Sequence, residues 1–118
     1  MLFRFEAALR VYLHREVVDF RKSINGLSAL VEQGLALDPF ARSLFVFANR
    51  QRNRVKILGW ERNGFWLLMK RLEAERFAWP RAGQAVIELS VEQLHWLLEG
   101  IDLEAMRAHR LLRFARAS

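Results

Sequence analysis

The chain has no cysteine, which rules out disulfide staples and thiolate metal sites. That absence fits a reducing compartment. Only two prolines interrupt its 118 residues. No apolar run approaches the roughly 18 residues that a membrane span needs. The start, MLFRFEAALRVYLHRE, carries a charge every few residues and lacks the apolar centre of a secretory leader. These absences lead us to expect a cytoplasmic protein. The glycines (Gly26, Gly34, Gly59, Gly64, Gly83 and Gly100) stand singly, so no glycine-rich loop is present to cradle a phosphate. His14, His95 and His109 lie far apart, without paired metal-ligand spacing. Ser23, Ser28, Ser43 and Ser90 have no adjacent histidine and acid to activate them. The acids are few and scattered, whereas two-metal nuclease chemistry needs them clustered. The expectation is a protein that is not an enzyme and carries no cofactor and no metal.

What is present is an apolar fraction of 53% and a net charge of +6. Length and composition suit one domain, able to bury roughly two-thirds of its unfolded surface. The positive charge is concentrated. Residues 42–81 hold ten basic groups against three acids, while the flanking segments are close to neutral. Clustered positive charge attracts polyanions through its long-range field. Most of these groups are arginines, which fork onto phosphate and stack on bases.

Periodicity predicts the elements. VYL at 11–13 reads as a strand. Asp19 reads as the N-cap of a helix whose apolar face is Phe20, Ile24, Leu27, Leu30, Val31 and Leu35, weakened at Gly34 and stopped by Asp38-Pro39. LFVF at 44–47 and RVKILGW at 54–60 flank the polar tip NRQRN as a hairpin. Glu61-Arg62-Asn63-Gly64 reads as a second turn, with Asn63-Gly64 as the hairpin signal, and FWLLMKRL at 65–72 as the third strand. Phe77, Trp79 and Pro80 suggest a short extended piece, and AVIEL at 85–89 a further strand. Ser90-Val91-Glu92-Gln93 is a capping box, opening a helix with Val91, Leu94, Leu97 and Leu98 on its buried face and Gly100 as its C-cap. The segment from Leu103 has helical composition, with Met106, Leu111, Phe114 and Ala115 as a stripe among Arg107, Arg110, Arg113 and Arg116. The expected architecture is α+β. Residues 1–102 form a single domain, an antiparallel hairpin meander against an N-terminal helix and one or two C-terminal helices. Residues 103–118 are a basic helix or tail.

Alternation assigns candidate contact residues. Arg54, Lys56, Leu58 and Trp60 share one face of their strand, and Trp66, Leu68 and Lys70 share one face of the next. The expected layout buries Val55 and Ile57 together with Phe65, Leu67 and Met69. It leaves Arg54, Lys56, Trp60, Trp66 and Lys70 on the opposite, basic face. Exposed tryptophans beside a basic track suit base stacking without sequence preference. The competing expectation is that Trp60 and Trp66 are core and the sheet is covered on both sides. The nucleic-acid candidates are Arg50, Arg52, Arg54, Lys56, Arg62, Lys70 and Arg71, with Trp60 and Trp66 as stacking residues. The alternative is a protein-interaction module whose apolar surface comes from the two helices. A catalytic subunit would instead require Asp19, Glu61 and Glu73 to cluster.

DFRKSINGLSALV at 19–31, LFVFANRQRNRVKILGWERNGFWLLMKRLEAERFAWP at 44–80 and ELSVEQLHWLLEGID at 88–102 resemble the TnpB accessory protein of the insertion-sequence sixty-six family. The likeness runs from Val11 to Asp102. It is carried by Asp19, Arg21, Lys22, Gly26 and Leu27, by Asp38-Pro39-Phe40, by Gly64 and Phe65, and by Trp79 and Pro80. Ser23, Asn25, Gly59 and Met69 depart from the usual pattern. The resemblance implies a bacterial accessory factor in DNA transposition, encoded beside a separate, larger transposase that carries the catalytic acids. The expected partners are DNA, with low sequence specificity, the transposase, and a second copy of the chain, and not a membrane.

Overall fold

A computed structural model describes residues 6–106. Its elements are strand β1 (Arg10–His14), helix α1 (Ile24–Ala29) continued by a π-helical turn (Leu30–Gly34), strands β2 (Ser43–Ala48), β3 (Arg54–Glu61), β4 (Gly64–Arg71) and β5 (Val86–Leu89), and helix α2 (Val91–Leu98). Residues 103–106 form a further helical turn. The five strands make one sheet in the order β4-β3-β2-β1-β5. Every neighbouring pair is antiparallel except β1 with β2, where Val11 sits beside Leu44 in a parallel register. A parallel pair needs a long crossover. Residues 15–42 supply it, and α1 rides on that crossover. The architecture is α+β, as expected.

Both faces of the sheet are covered. On one face Val11, Leu13, Leu44, Val46, Val55 and Ile57 meet Val91, Leu94 and Leu97 of α2, together with Phe77 and Trp79. On the other, Phe45, Phe47 and Leu58 meet Leu27 and Val31. The helices therefore lie on opposite faces rather than together on one. The crossover between β1 and β2 carries α1 to one side, and the chain leaving edge strand β5 carries α2 to the other. This double cover explains the run SLFVFA in β2, whose six residues are all buried. A strand between two layers has no wet face and loses its alternation.

Local chemistry matches most of these elements. Ser90 Oγ accepts the Gln93 N–H at 3.0 Å while Gln93 Oε1 accepts the Ser90 N–H at 2.9 Å, the expected capping box. Gly100 follows α2 with φ +92°, the left-handed conformation that glycine adopts without steric cost. Three expectations need correction. Asp19 is not the N-cap: α1 starts at Ile24 behind Ser23, which makes no side-chain cap bond. The Asp19 carboxylate instead takes the Arg21 N–H at 2.9 Å and the Arg21 guanidinium. Phe77 and Trp79 form no strand. They are buried plugs, and the Trp79 indole N–H donates to the Arg15 carbonyl at 2.9 Å.

The third correction concerns the second hairpin. Its turn spans Glu61 to Gly64 as expected, with Arg62-Asn63 as the two-residue loop because Gly64 pairs with Glu61; what differs is which residues share a face. A two-residue loop sets odd positions of one strand against even positions of the other. Val55 and Ile57 therefore stand opposite Lys70 and Leu68, while Lys56, Leu58 and Trp60 stand opposite Met69, Leu67 and Phe65. The expected grouping of Val55 and Ile57 with Phe65, Leu67 and Met69 does not form, and neither does a face joining Trp60 to Trp66.

Candidate nucleic-acid interface

The β2–β3 tip is built around Asn49. Its Oδ1 accepts the N–H groups of Asn53 at 3.1 Å and Arg54 at 3.0 Å, and its Nδ2 donates to Asn53 Oδ1 at 2.8 Å. Asparagine mimics a backbone turn in this way. The loop is thus held rigid, and Arg50 and Arg54 project into solvent. Arg52 lies at φ +59°. Its Nε is buried without a hydrogen-bond partner among the described residues, and its Nη1 is 3.5 Å from the Arg50 carbonyl.

Two other segments arrive at the same end of the sheet. Arg71 is the direct cross-strand partner of Arg54. The Phe77 N–H donates to the Arg52 carbonyl at 2.7 Å, which brings Arg76 to the tip. Arg76 is exposed, and residue-by-residue reading did not single it out. Its signal was its place in the basic segment; what it lacked was a sequence cue tying that loop to the first hairpin. Arg50, Arg52, Arg54, Arg71 and Arg76 thus converge from three stretches of chain. Glu73 pairs with Arg71 at 2.8 Å and is the one acid with an ion pair there among the described residues. Like charges directly opposite in a ladder are destabilising, so Arg54 beside Arg71 is retained at a cost.

The two candidate lysines have other partners. Lys56 Nζ donates to the carbonyls of Phe20 at 2.9 Å and Lys22 at 2.8 Å, and lies 4.8 Å from the centre of the Phe20 ring. It ties the approach to α1 onto the sheet. Lys70 Nζ donates to the Leu98 carbonyl at 2.7 Å, at the end of α2, where a cation meets the negative end of the helix dipole. Arg62 is exposed in the β3–β4 turn at the far end of the strands.

The tryptophans divide between the two faces. Trp60 is half-buried, with Phe40 and Phe65 packed edge-on at 5.1 and 4.9 Å between ring centres. Trp66 stands opposite Gly59 and is 50% exposed, its indole N–H donating to Glu61 Oε2 at 2.8 Å. The residues that carry the family resemblance are largely architectural. Leu27 and Trp79 are core. Gly26 lets the Lys22 side chain pass, since a β-carbon there would stand 3.1 Å from Lys22 Cβ. Asp38 Oδ1 accepts the Phe40 N–H at 2.9 Å. Hydrogen bonds from Arg21 hold the Asp19 carboxyl at about 2, below the usual carboxylate range. Glu61 and Glu73 lie at opposite ends of the β3–β4 hairpin, so the acids a catalytic subunit would need do not gather. Among the described residues no helix is long and apolar enough to cross a membrane.

Fold and site together define a small α+β protein with an arginine-rich sheet end and basic side chains divided between structural and exposed roles. The chain belongs to the family of IS66 Orf2 like proteins, whose family model, TnpB_IS66, matches residues 9–108. It is therefore a transposition-associated accessory protein. Two proteins of Sinorhizobium fredii (strain NBRC 101917 / NGR234) are similar to the chain. The uncharacterized protein y4jC is 34% identical over 94 residues, covering 80% of each chain. The uncharacterized protein y4hO is 36% identical over 94 residues, covering 80% of this chain and 82% of its own. No solved structure matches.

Proposed function

We propose that this protein serves transposition as a non-catalytic DNA-contacting factor, holding phosphates with Arg50, Arg52, Arg54, Arg71 and Arg76. The observation that carries the proposal is the convergence of these arginines at one sheet end, with Arg54 and Arg71 directly opposed. A polyanion lying across the tip relieves that repulsion. Phosphate contacts position a protein without reading sequence, so discrimination between DNA sequences is weak. Lys56 and Lys70 belong to the scaffold in this reading, because each ammonium already has backbone carbonyl partners. The separated tryptophans offer no shared stacking platform, which favours duplex over single-stranded DNA.

The test is fluorescence anisotropy on a labelled duplex and its single strand across a salt series. Arg71 is partly neutralised by Glu73, which leaves about four effective contacts. At about 0.9 per phosphate these give a log–log slope of about −3.6 on the duplex. Arg50→Ala/Arg54→Ala/Arg76→Ala brings the slope to about −1. A wild-type slope near zero, or a variant that binds like wild type, defeats the reading. The second reading, direct docking on the transposase, draws on the exposed Phe40 and Met69. It gains if the folded protein ignores DNA at low salt yet binds the purified transposase.

A further inference from the structure

β4 is an edge strand, bounded by β3 on one side and by no described strand on the other. Its eight residues contrast with the four of β5 at the opposite margin. The Leu72 N–H donates to the Asn53 carbonyl at 2.8 Å, so Leu72 points inward. Alternation along an antiparallel ladder then turns Trp66, Leu68 and Lys70 inward as well. The backbone groups of Phe65, Leu67, Met69 and Arg71 point outward. Native edges are usually blunted by shortness, proline, bulges or charge. β4 has no proline and no charge from Gly64 to Met69. Its two charges stand at its end, and one of them, Lys70, is drawn to Leu98. Trp66 and Met69, exposed by 50% and 59%, lie on opposite faces of this one strand.

We infer that β4 is a homodimer edge, pairing antiparallel with β4 of a second copy and joining two five-stranded sheets into one. A two-fold axis normal to the sheet keeps each face with itself. With Leu68 opposite Leu68 of the second copy, Leu67 meets Met69, Trp66 meets Lys70 and Phe65 meets Arg71, each reciprocally. Lys70 and Arg71 then each stand opposite an aromatic residue, and no two charged residues of the paired strands are directly opposed. The outward groups of Leu67 and Met69, and of Phe65 and Arg71, fall into hydrogen-bonded pairs. An acidic strand from another protein satisfies only the Lys70–Arg71 end and leaves Trp66 and Phe65 without that complement, so the strand's own pattern selects a second copy.

This inference stands apart from the DNA reading, because its test uses no DNA. Sedimentation velocity is run from low to high micromolar protein on wild type, Trp66→Lys, Trp66→Glu and, as a control on the other edge, Glu88→Lys. Backbone amide exchange is followed over the same range. Wild type and Glu88→Lys dimerise with concentration. The amides of Phe65, Leu67, Met69 and Arg71 gain protection with dimerisation, while the inward amides are protected throughout. Trp66→Lys sets lysine against Lys70 and weakens association at least tenfold. Trp66→Glu sets a carboxylate there and associates at least as well as wild type. A monomer at every concentration, outward amides indifferent to concentration, or Trp66 variants that shift association in the same direction would each overturn the inference.

Discussion

Lys56→Met separates a structural lysine from a DNA-binding one. Methionine keeps most of the apolar stem and removes the ammonium. Two hydrogen bonds and one cation–ring contact are lost. The bond to the Phe20 carbonyl is partly shielded from water and is worth about 1.5 kcal/mol, the lower end for a charged donor. The bond to the Lys22 carbonyl is exposed and contributes about 0.5 kcal/mol after competition with water. The ring contact adds about 0.5 kcal/mol. The expected loss is about 2–3 kcal/mol, read as a lower urea midpoint at unchanged m-value. In a thermal scan this corresponds to roughly 8–12 °C. A cycle with Phe20→Leu should recover a coupling of about 0.5 kcal/mol. The salt slope on DNA stays at its wild-type value when measured well below the midpoint. A stability change under about 0.5 kcal/mol, the range of a solvated surface substitution, would refute the reasoning. So would a salt slope flattened by about one phosphate contact.

Three further outcomes follow from local geometry. Ser90→Ala removes the bond to the Gln93 N–H and should cost about 1 kcal/mol, measured by thermal or urea unfolding. The Asp19 carboxyl should titrate near 2 by NMR, since Arg21 favours its charged form. Because that pKa is depressed on folding, its contribution is complete above the ordinary carboxylate range and is lost as pH falls towards 2. Asp19→Asn should therefore be less stable than wild type at neutral pH and match it in strong acid. Arg52→Gly relieves a left-handed residue that costs about 1–2 kcal/mol, partly offset by about 0.5–1 kcal/mol of extra chain entropy. The protein should gain about 0.5 kcal/mol in unfolding assays while its DNA slope becomes shallower by about 0.9.

Much of the fold was legible. β3 is marked by alternating Val55 and Ile57, α2 by its capping box and Gly100, and the first hairpin by the polar tip between two apolar runs. The exposure of Arg50 and Arg54 was legible too, because polar residues at a hairpin turn usually face solvent, whereas the half-buried Arg52 was not. Asp19 misled because an acid before an apolar stripe looks the same whether it caps a helix or pairs with a nearby arginine. Lys56 and Lys70 looked like members of a basic track because nothing beside them in the chain signals the carbonyls of Phe20, Lys22 and Leu98 as their partners. The exposure of Trp66 and the aromatic enclosure of Trp60 were equally hidden, since both depend on which strand face each residue occupies.

The sequence by itself determined most of the strands, both hairpin turns and α2, which third of the chain is basic, and the family it belongs to. Those properties rest on neighbours a few residues apart: backbone preference, side-chain alternation, caps and charge density. Only the tertiary structure decided that β1 lies parallel to β2, that the helices take opposite faces, that Trp60 and Trp66 are separated, and that Arg76 joins the tip. A two-residue loop fixes which residues face each other across the sheet, and long crossovers fix which layers meet. Such outcomes depend on contacts between residues far apart in the chain, selected by the burial of a shared core.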